Sequence, residues 1–570
     1  MKKIFIFSVA ATLTLASCKD VLEKYPLDKP SAETFYNSAS EIERGVNACY
    51  DNLRETGTNM YNFPMSLDLM TDIGFPRQDS RFKEIAKGEH SSEADIFLTV
   101  WRSSYTGINR VNNMQTVINE KSNLLTDEQR KFLEGQLLFL RAYYYTRLVT
   151  YFGDVPLLLK PVETLNEARN VTRTPKAEVI AHIMKDYDDA VLRLPEAYSN
   201  PVDLGRATKG TANAYKARAA LYFGMYDVAA KSAKAVMDSK KYSLYAKYGD
   251  LFVSKGLRDP ANKEVIFSED FSAEIAKYTE LTLHNSSRNT GGWSTSVPSQ
   301  NLVDSYHCID DKNISESTWF NKAKPFENRD PRLKLSIVLP GEKFGDYRYQ
   351  THMDSVTCYQ YSTGRMVTNN DSYSINQFTS FTGYLTRKYN DEEYVGRNTK
   401  CDYPIILLRY AEVLLTYAEA KIELNQIDQS VLDALNAIRQ DRVDVKMPAF
   451  TLASLGGQEK ARVKVRHERK IELAFEGHRY TDLRRWGLAE IYANVPILGR
   501  PFKGNYTEWP NITYDLNDEP VYNVNNYAPH PSTDYRVIEN RLFIKGKHEL
   551  WPIPQTERNM NPKLNQNPQY

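Results

Sequence analysis

Residues 466–487, RHERKIELAFEGHRYTDLRRWG, interleave dense charge with two apolar stripes, and any fold of the chain has to accommodate both. Ile471, Ala474 and Phe475 recur at three- and four-residue spacing, which puts them on one face of a helix. Gly477 stands where a C′ glycine would release the chain from that helix. Tyr480, Leu483 and Trp486 follow at every third residue and predict a second short helix. Around these stripes stand Glu468, Glu472, Glu476 and Asp482 among five arginines and Lys470. A metal reading requires His-Glu-x-x-His, but Ile471 occupies the place of the second histidine after His467 and Glu468. A nucleic-acid reading requires a basic excess, and here acids nearly balance bases. What remains is a half-buried lattice of ion pairs that holds two helices in register.

The whole chain has the same balance. Its 570 residues carry 73 basic and 72 acidic side chains, for a net charge of +1. No electrostatic footprint for DNA or RNA follows, so no nucleic-acid partner is expected. Aromatic residues make up 12% and include 38 tyrosines, whose flat apolar faces and polar tips suit wet binding surfaces. The N-terminus sets the compartment. Lys2 and Lys3 precede an apolar run, Ile4 to Leu15, too short to span a membrane as a stable helix. The run ends in Leu15-Ala16-Ser17-Cys18, which resembles a bacterial lipobox. Residues 1–17 then form a signal peptide, Cys18 carries acyl chains, and 18–39 form a polar tether broken by Pro26 and Pro30. Later apolar stretches are interrupted by charge, as Tyr403 to Ala420 is by Arg409, Glu412 and Glu419. Cys49, Cys308, Cys358 and Cys401 form no C-x-x-C pair, and their spacing leaves disulfides and buried thiols both open.

Along the chain, residues 40–251 read as helices, apart from an irregular stretch, Met60 to His90, that loses periodicity and mixes aromatics with charge. Thr126 and Gln129 make a capping box ahead of a helix that stops near Gly153. Ala214, Ala217, Leu221 and Gly224, followed by Tyr226, Ala229, Ala233 and Val236, have the small/large spacing of a tetratricopeptide-like helix pair. Leu408, Ala411, Leu415, Ala418 and Ile422, answered by Leu432, Leu435 and Ile438, suggest a second pair in 403–570. Between the two pairs, residues 252–402 lose helical periodicity and turn signals take over, as at Asn289-Thr290-Gly291-Gly292. The predicted class is mainly α: a tetratricopeptide-like scaffold with a large irregular insertion of loops and short strands.

Several motifs point the same way. Glu468 to Trp486 follows approximately E-R-x-x-E-L-x-F-E-G-x-R-x-x-D-L-x-R-W, and Phe139 to Tyr145 is followed by Gly153-Asp154-Val155-Pro156-Leu157. Leu302 to Tyr306, Phe326 to Leu333, Pro552 to Glu557 and Asn561 to Tyr570 add four more, with Gln569 where a glycine is usual. Together these resemble the SusD/RagB family from lipobox to last residue. The resemblance implies a lipid-anchored lipoprotein at the cell surface, on the outer membrane. Such proteins bind a nutrient oligosaccharide, or in some cases a peptide, and deliver it to a TonB-dependent, SusC-like transporter. It implies no catalysis and no cofactor. No Gly-x-Ser-x-Gly elbow, zincin motif or phosphate-binding glycine loop is present, so no catalytic or metal residue is assigned.

A glycan binder needs flat aromatic faces against sugar C–H groups and planar polar groups for hydroxyls. The candidates lie in the two irregular stretches: Tyr61 and Phe75 in the first, and Tyr278, Trp293 and Trp319 in the second. Asp72, Arg77 and Arg81 supply hydrogen bonds. Trp293 leads because Gly291 and Gly292 would let a ligand approach closely. Trp101, Trp486 and Trp551 stand in scaffold motifs and are set aside. A protein-binding helical-repeat adaptor is the alternative from a different class.

Overall fold

The computed structural model describes residues 36–53, 63–77, 80–200, 203–501, 512–522 and 535–570. Tyr61 and the lipidation candidate Cys18 lie outside them, and the side chain of Arg81 is likewise not described.

Helices Asp95–Glu120, Asp127–Phe152, Lys176–Arg193, Lys209–Tyr222 and Tyr226–Asp238 pack each on the next. Local chemistry sets their ends. The Thr126 hydroxyl accepts from the Gln129 amide while the Gln129 side chain accepts from the Thr126 amide, the reciprocal box that the spacing predicts. The helix it starts ends at Gly153, whose φ of +74° suits glycine. In the next pair, buried Ala214, Ala217, Ala229 and Ala233 let two backbones approach. Helix Tyr226–Asp238 then packs on Tyr410–Glu423, and that helix packs on Gln429–Gln440 and Gln458–Glu472. The two tetratricopeptide-like pairs are therefore adjacent in space although some 170 residues of chain separate Asp238 from Tyr410 (410 − 238 = 172). Strands Val265–Glu269 and Ile405–Arg409 pair antiparallel, Glu269 opposite Ile405 and Val265 opposite Arg409, and close the root of the intervening segment. That segment carries short strands, including a four-stranded sheet of Lys343–Phe344, Tyr347–Arg348, Thr357–Gln360 and Arg365–Thr368. The four described cysteines are buried free thiols.

The motif at 466–487 departs from expectation in two ways. Helix Gln458–Glu472 ends at Leu473, four residues before Gly477. The chain turns instead through Phe475, at φ +65°, and Gly477, at φ +87°, so Gly477 is not the C′ residue. A Cβ on Gly477 would meet the Pro64 backbone at 2.7 Å, so glycine is required by a close chain crossing as well as by its dihedral. Asp68, on helix Phe63–Leu69, accepts from the amides of Gly477 and Arg479, both at 2.9 Å, and holds that crossing.

The second departure is in reach. Glu468, Arg469, Lys470, Glu472, Arg479 and Asp482 are buried outright while Arg466, Glu476, Arg484 and Arg485 are half-buried, and together they tie far more than two helices. Glu472 meets Arg332 at 3.1 Å, Arg409 at 2.8 Å and Arg442 at 2.9 Å. Glu476 meets Arg409 and Lys388, each at 2.6 Å, and Glu468 meets Arg332 at 2.5 Å and Arg439 at 2.8 Å. Arg409 also reaches Glu264 at 2.7 Å, so the lattice grips strand Ile405–Arg409 and the residue that leads into Val265–Glu269 at the insertion's root. A second limb joins Arg469 and Arg485 to Glu419 and Asp482. Trp486 donates its indole N–H to the same Glu419 at 2.7 Å, which places it in the scaffold as expected.

This lattice sets the acid limit of the fold. Burial by itself would raise the Glu476 carboxyl, but Arg409 and Lys388 hold it down at about 2. Asp72 is likewise held at about 2 by Arg479 and Lys470 against its burial. A carboxyl depressed in the folded state stabilises fully above its unfolded value, and that stability is lost as pH falls through the folded value. Asp68 works in the opposite sense, since burial raises it to about 7 and its contribution declines as pH rises. Burial raises Asp304 and Asp371 in the same way, each to about 6, whereas the depressed carboxylates lose their contribution only below the unfolded carboxylate range. Thermal melts at constant ionic strength are expected to fall steeply below about pH 5, where the unfolded carboxyls take up protons that Glu476 and Asp72 resist in the fold.

Candidate ligand-binding surface

Strand Gly74–Pro76 pairs antiparallel with Ser296–Pro298, Phe75 opposite Val297. This pairing joins the two irregular stretches that sequence reasoning singled out. It continues through the Arg77 amide, which donates to the Thr295 carbonyl at 2.8 Å, and the Arg77 guanidinium, which donates to the Trp293 carbonyl at 2.9 Å. The same guanidinium lies 5.7 Å from the Phe378 ring centre and 5.8 Å from that of Phe381. Trp293 is 36% exposed and Phe378 53% exposed, so two aromatic side chains in contact with Arg77, which is itself buried, reach the surface.

The loop bearing Trp293 is firmly held. Its amide donates to Leu283, that of Ser294 to Ser286, and that of Thr295 to His284, at 2.7–3.0 Å. The Trp293 ring meets the His284 ring edge-on, 5.3 Å between centres. Burial, with the Arg77 charge adding to it, lowers His284 to about 4, so this imidazole is neutral at physiological pH. Asp371 accepts from the Arg288 amide and the Asn289 side chain, each at 2.7 Å, and fixes the turn that leads to Trp293. Arg288 in turn donates from Nε to the Phe378 carbonyl at 2.8 Å, bracing the second aromatic against the first.

Other candidates are placed differently. Phe75 is 2% exposed and stacks on Phe381, ring centres 6.0 Å apart, so it supports the platform from below and offers no face to a ligand. Asp72 is 5% exposed and bonded to Arg479 through both carboxylate oxygens at 2.9 Å; it belongs to the ion-pair lattice, which corrects its reading as a hydroxyl partner. Arg77 positions Trp293 and Phe378 and has little surface of its own. Gly292 also serves the protein, since a Cβ there would lie 2.5 Å from the Ser286 backbone. Trp319 is 53% exposed but stands on another loop, its carbonyl accepting from Asn328 at 3.2 Å. Tyr278 is half-buried next to the bridge of Thr279 with Cys401, and no described contact joins it to Trp293. Phe378 and Arg288 were missed. Phe378 lies in Asn376-Gln377-Phe378-Thr379-Ser380-Phe381, where nothing in the sequence separates the exposed phenylalanine from the packed one.

The arrangement is that of a helical scaffold protein presenting a rigid, loop-borne aromatic surface. Residues 263–570 match the SusD family, and residues 20–221 match a family described as starch-binding and associating with the outer membrane. The chain belongs to the SusD family. It is 25% identical over 524 residues to SusD-like protein P2 of Formosa agariphila, covering 85% of this chain and 91% of that one. A SusD-like carbohydrate-binding protein of Bacteroides fragilis superposes with a TM-score of 0.80 at 28% identity, over 93% of this chain and 100% of the other. Surface glycan-binding protein A of Bacteroides thetaiotaomicron, solved with laminarihexaose, has the same fold, with a TM-score of 0.64 at 18% identity over 93% of this chain and 100% of its own.

Proposed function

We propose that this protein binds a nutrient oligosaccharide at the bacterial surface and delivers it to a TonB-dependent, SusC-like transporter, without catalysis of its own. The observation that carries the reading is the exposed pair Trp293 and Phe378, braced through Arg77 and Arg288. Sugar rings stack C–H faces on such rings, while neighbouring polar groups meet the hydroxyls. The carbohydrate-binding relative from Bacteroides fragilis and the neighbours whose names record laminarin or laminarihexaose support the same substrate class. Acylation of Cys18 would hold the protein at the outer membrane, in keeping with the description of the family matched by residues 20–221. No described helix is long and apolar enough to cross a membrane. Loops in 252–402 carry most of the surface, with Tyr278 and Trp319 as outlying contacts for a longer chain.

Calorimetric titration of purified protein with a panel of β- and α-linked glucans, laminarihexaose first, tests the reading. Saturable binding of at least one oligosaccharide, with no reducing ends released, is the expected result. Binding of peptides alone would transfer the role to peptide capture, and turnover of the glycan would overturn the reading as a pure binder.

A further inference from the structure

Three segments distant in sequence meet at a histidine pair. His307 follows helix Gln300–Ser305, His467 stands on helix Gln458–Glu472, and Asp518 lies in the turn between strands Thr513–Tyr514 and Pro520–Val521. The two imidazoles are stacked, ring centres 4.0 Å apart and planes 24° from parallel. His307 is more than nine-tenths buried. Its Nε2 lies 2.8 Å from an Asp518 oxygen and its Nδ1 3.7 Å from one of Asp311, yet neither ring nitrogen makes a well-directed hydrogen bond. One donor atom from each of His307, His467 and Asp518 falls within 4.8 Å of the other two.

We propose that His307, His467 and Asp518 bind a divalent transition-metal ion of the zinc class, which cross-links the three segments. Two imidazoles and a carboxylate are a borderline donor set that suits Zn²⁺ and its relatives and does not suit Ca²⁺ or Mg²⁺. Ligands about 2.0–2.1 Å from zinc stand roughly 3.3 Å apart, so donors now within 4.8 Å of one another close by at most about 1.5 Å while the stacked rings tilt to converge their in-plane lone pairs. The surroundings fit. Asp311, fixed by Arg439 at 2.7 Å, faces the His307 Nδ1 and would orient the ring for coordination through Nε2. Asn313 donates to the other Asp518 oxygen at 3.2 Å and leaves Oδ2 to the ion. Besides Arg439, the nearby cations include Lys464, 3.8 Å from Asp311, and Lys470, bonded to Ser305 and Glu519. The competing occupant is a proton, which would make His307 an imidazolium between Asp311 and Asp518. No local spacing in the sequence announces the site, because its two histidines lie 160 residues apart (467 − 307 = 160).

The test uses the untagged full-length chain, stripped with chelator and titrated with Co²⁺. One equivalent should bind with the visible absorption of low-coordinate cobalt, be displaced by Zn²⁺, and raise the melting temperature as a ligand of the folded state must. His467→Gln and Asp518→Asn should each weaken Co²⁺ binding by more than the roughly 10–100-fold that follows loss of an outer hydrogen-bond partner. No stoichiometric binding, or equal binding by both folded variants, overturns the proposal in favour of the imidazolium. Should the variants fail to fold, X-ray absorption on the cobalt-loaded wild type decides: two imidazole nitrogens on the metal support the site, and none refutes it.

Discussion

Replacing Glu472 with alanine is expected to destabilise the fold by about 3–5 kcal/mol, the cost of leaving a buried ion-pair partner uncompensated. The carboxylate sits between Arg332, Arg409 and Arg442, all fully buried, and none of them can turn to water when it is removed. Arginine cannot shed its proton to escape the interior. Denaturant melts should show the loss as a lower midpoint with an unchanged slope. Glycan affinity per folded molecule should be preserved, because Glu472 touches neither Trp293 nor its supports. A change below about 1 kcal/mol would mean that water or rearranged partners reach these arginines. Glu472→Gln, which keeps the shape and removes the charge, should fall between the two.

Trp293→Ala should weaken oligosaccharide binding by roughly 10- to 30-fold, the equivalent of about 1.4–2 kcal/mol for removing one stacked aromatic surface. The melting temperature should scarcely change, since the indole is partly exposed and its loop is held by backbone bonds to Leu283, Ser286 and His284. Phe378→Ala should act in the same direction and to a smaller extent. Unchanged affinity in a folded Trp293→Ala protein would remove this platform as the binding surface and turn attention to Trp319, which stands on a separate loop.

The helical scaffold was legible because its information is local. Spacing of alanines at 214, 217, 229 and 233 and the box at Thr126 and Gln129 encode helix faces and ends within a few residues. The site was legible only in part. Trp293 and Arg77, expected in one surface from their irregular surroundings, are in contact, whereas Asp72 and Phe75 share the same local signals and are buried. What distinguishes them is pairing across more than 200 residues, as between Phe75 and Val297, and no single-chain periodicity records it. The reach of the ion-pair lattice was hidden for the same reason: Glu472 was visible as a charge, whereas its partners at 332, 409 and 442 come from other elements.

The paired strands at Val265–Glu269 and Ile405–Arg409 have a consequence for how such a protein can diversify. Chain leaves and re-enters the helical stack at one seam, and the helices on either side pack directly on each other. The intervening segment is then pinned back at defined points, through Ser296–Pro298 on Gly74–Pro76 and through Arg332 and Lys388 in the ion-pair lattice. Its rim can lengthen, shorten or change its aromatic groups without altering the path of the stack beneath it. The limit lies at the seam, where Arg409 is shared between the strand and the acids Glu264, Glu472 and Glu476, and at the lattice contacts of Arg332 and Lys388. New recognition can be written into the loops that lie between these ties, provided that Arg409, Arg332 and Lys388 keep their acidic partners.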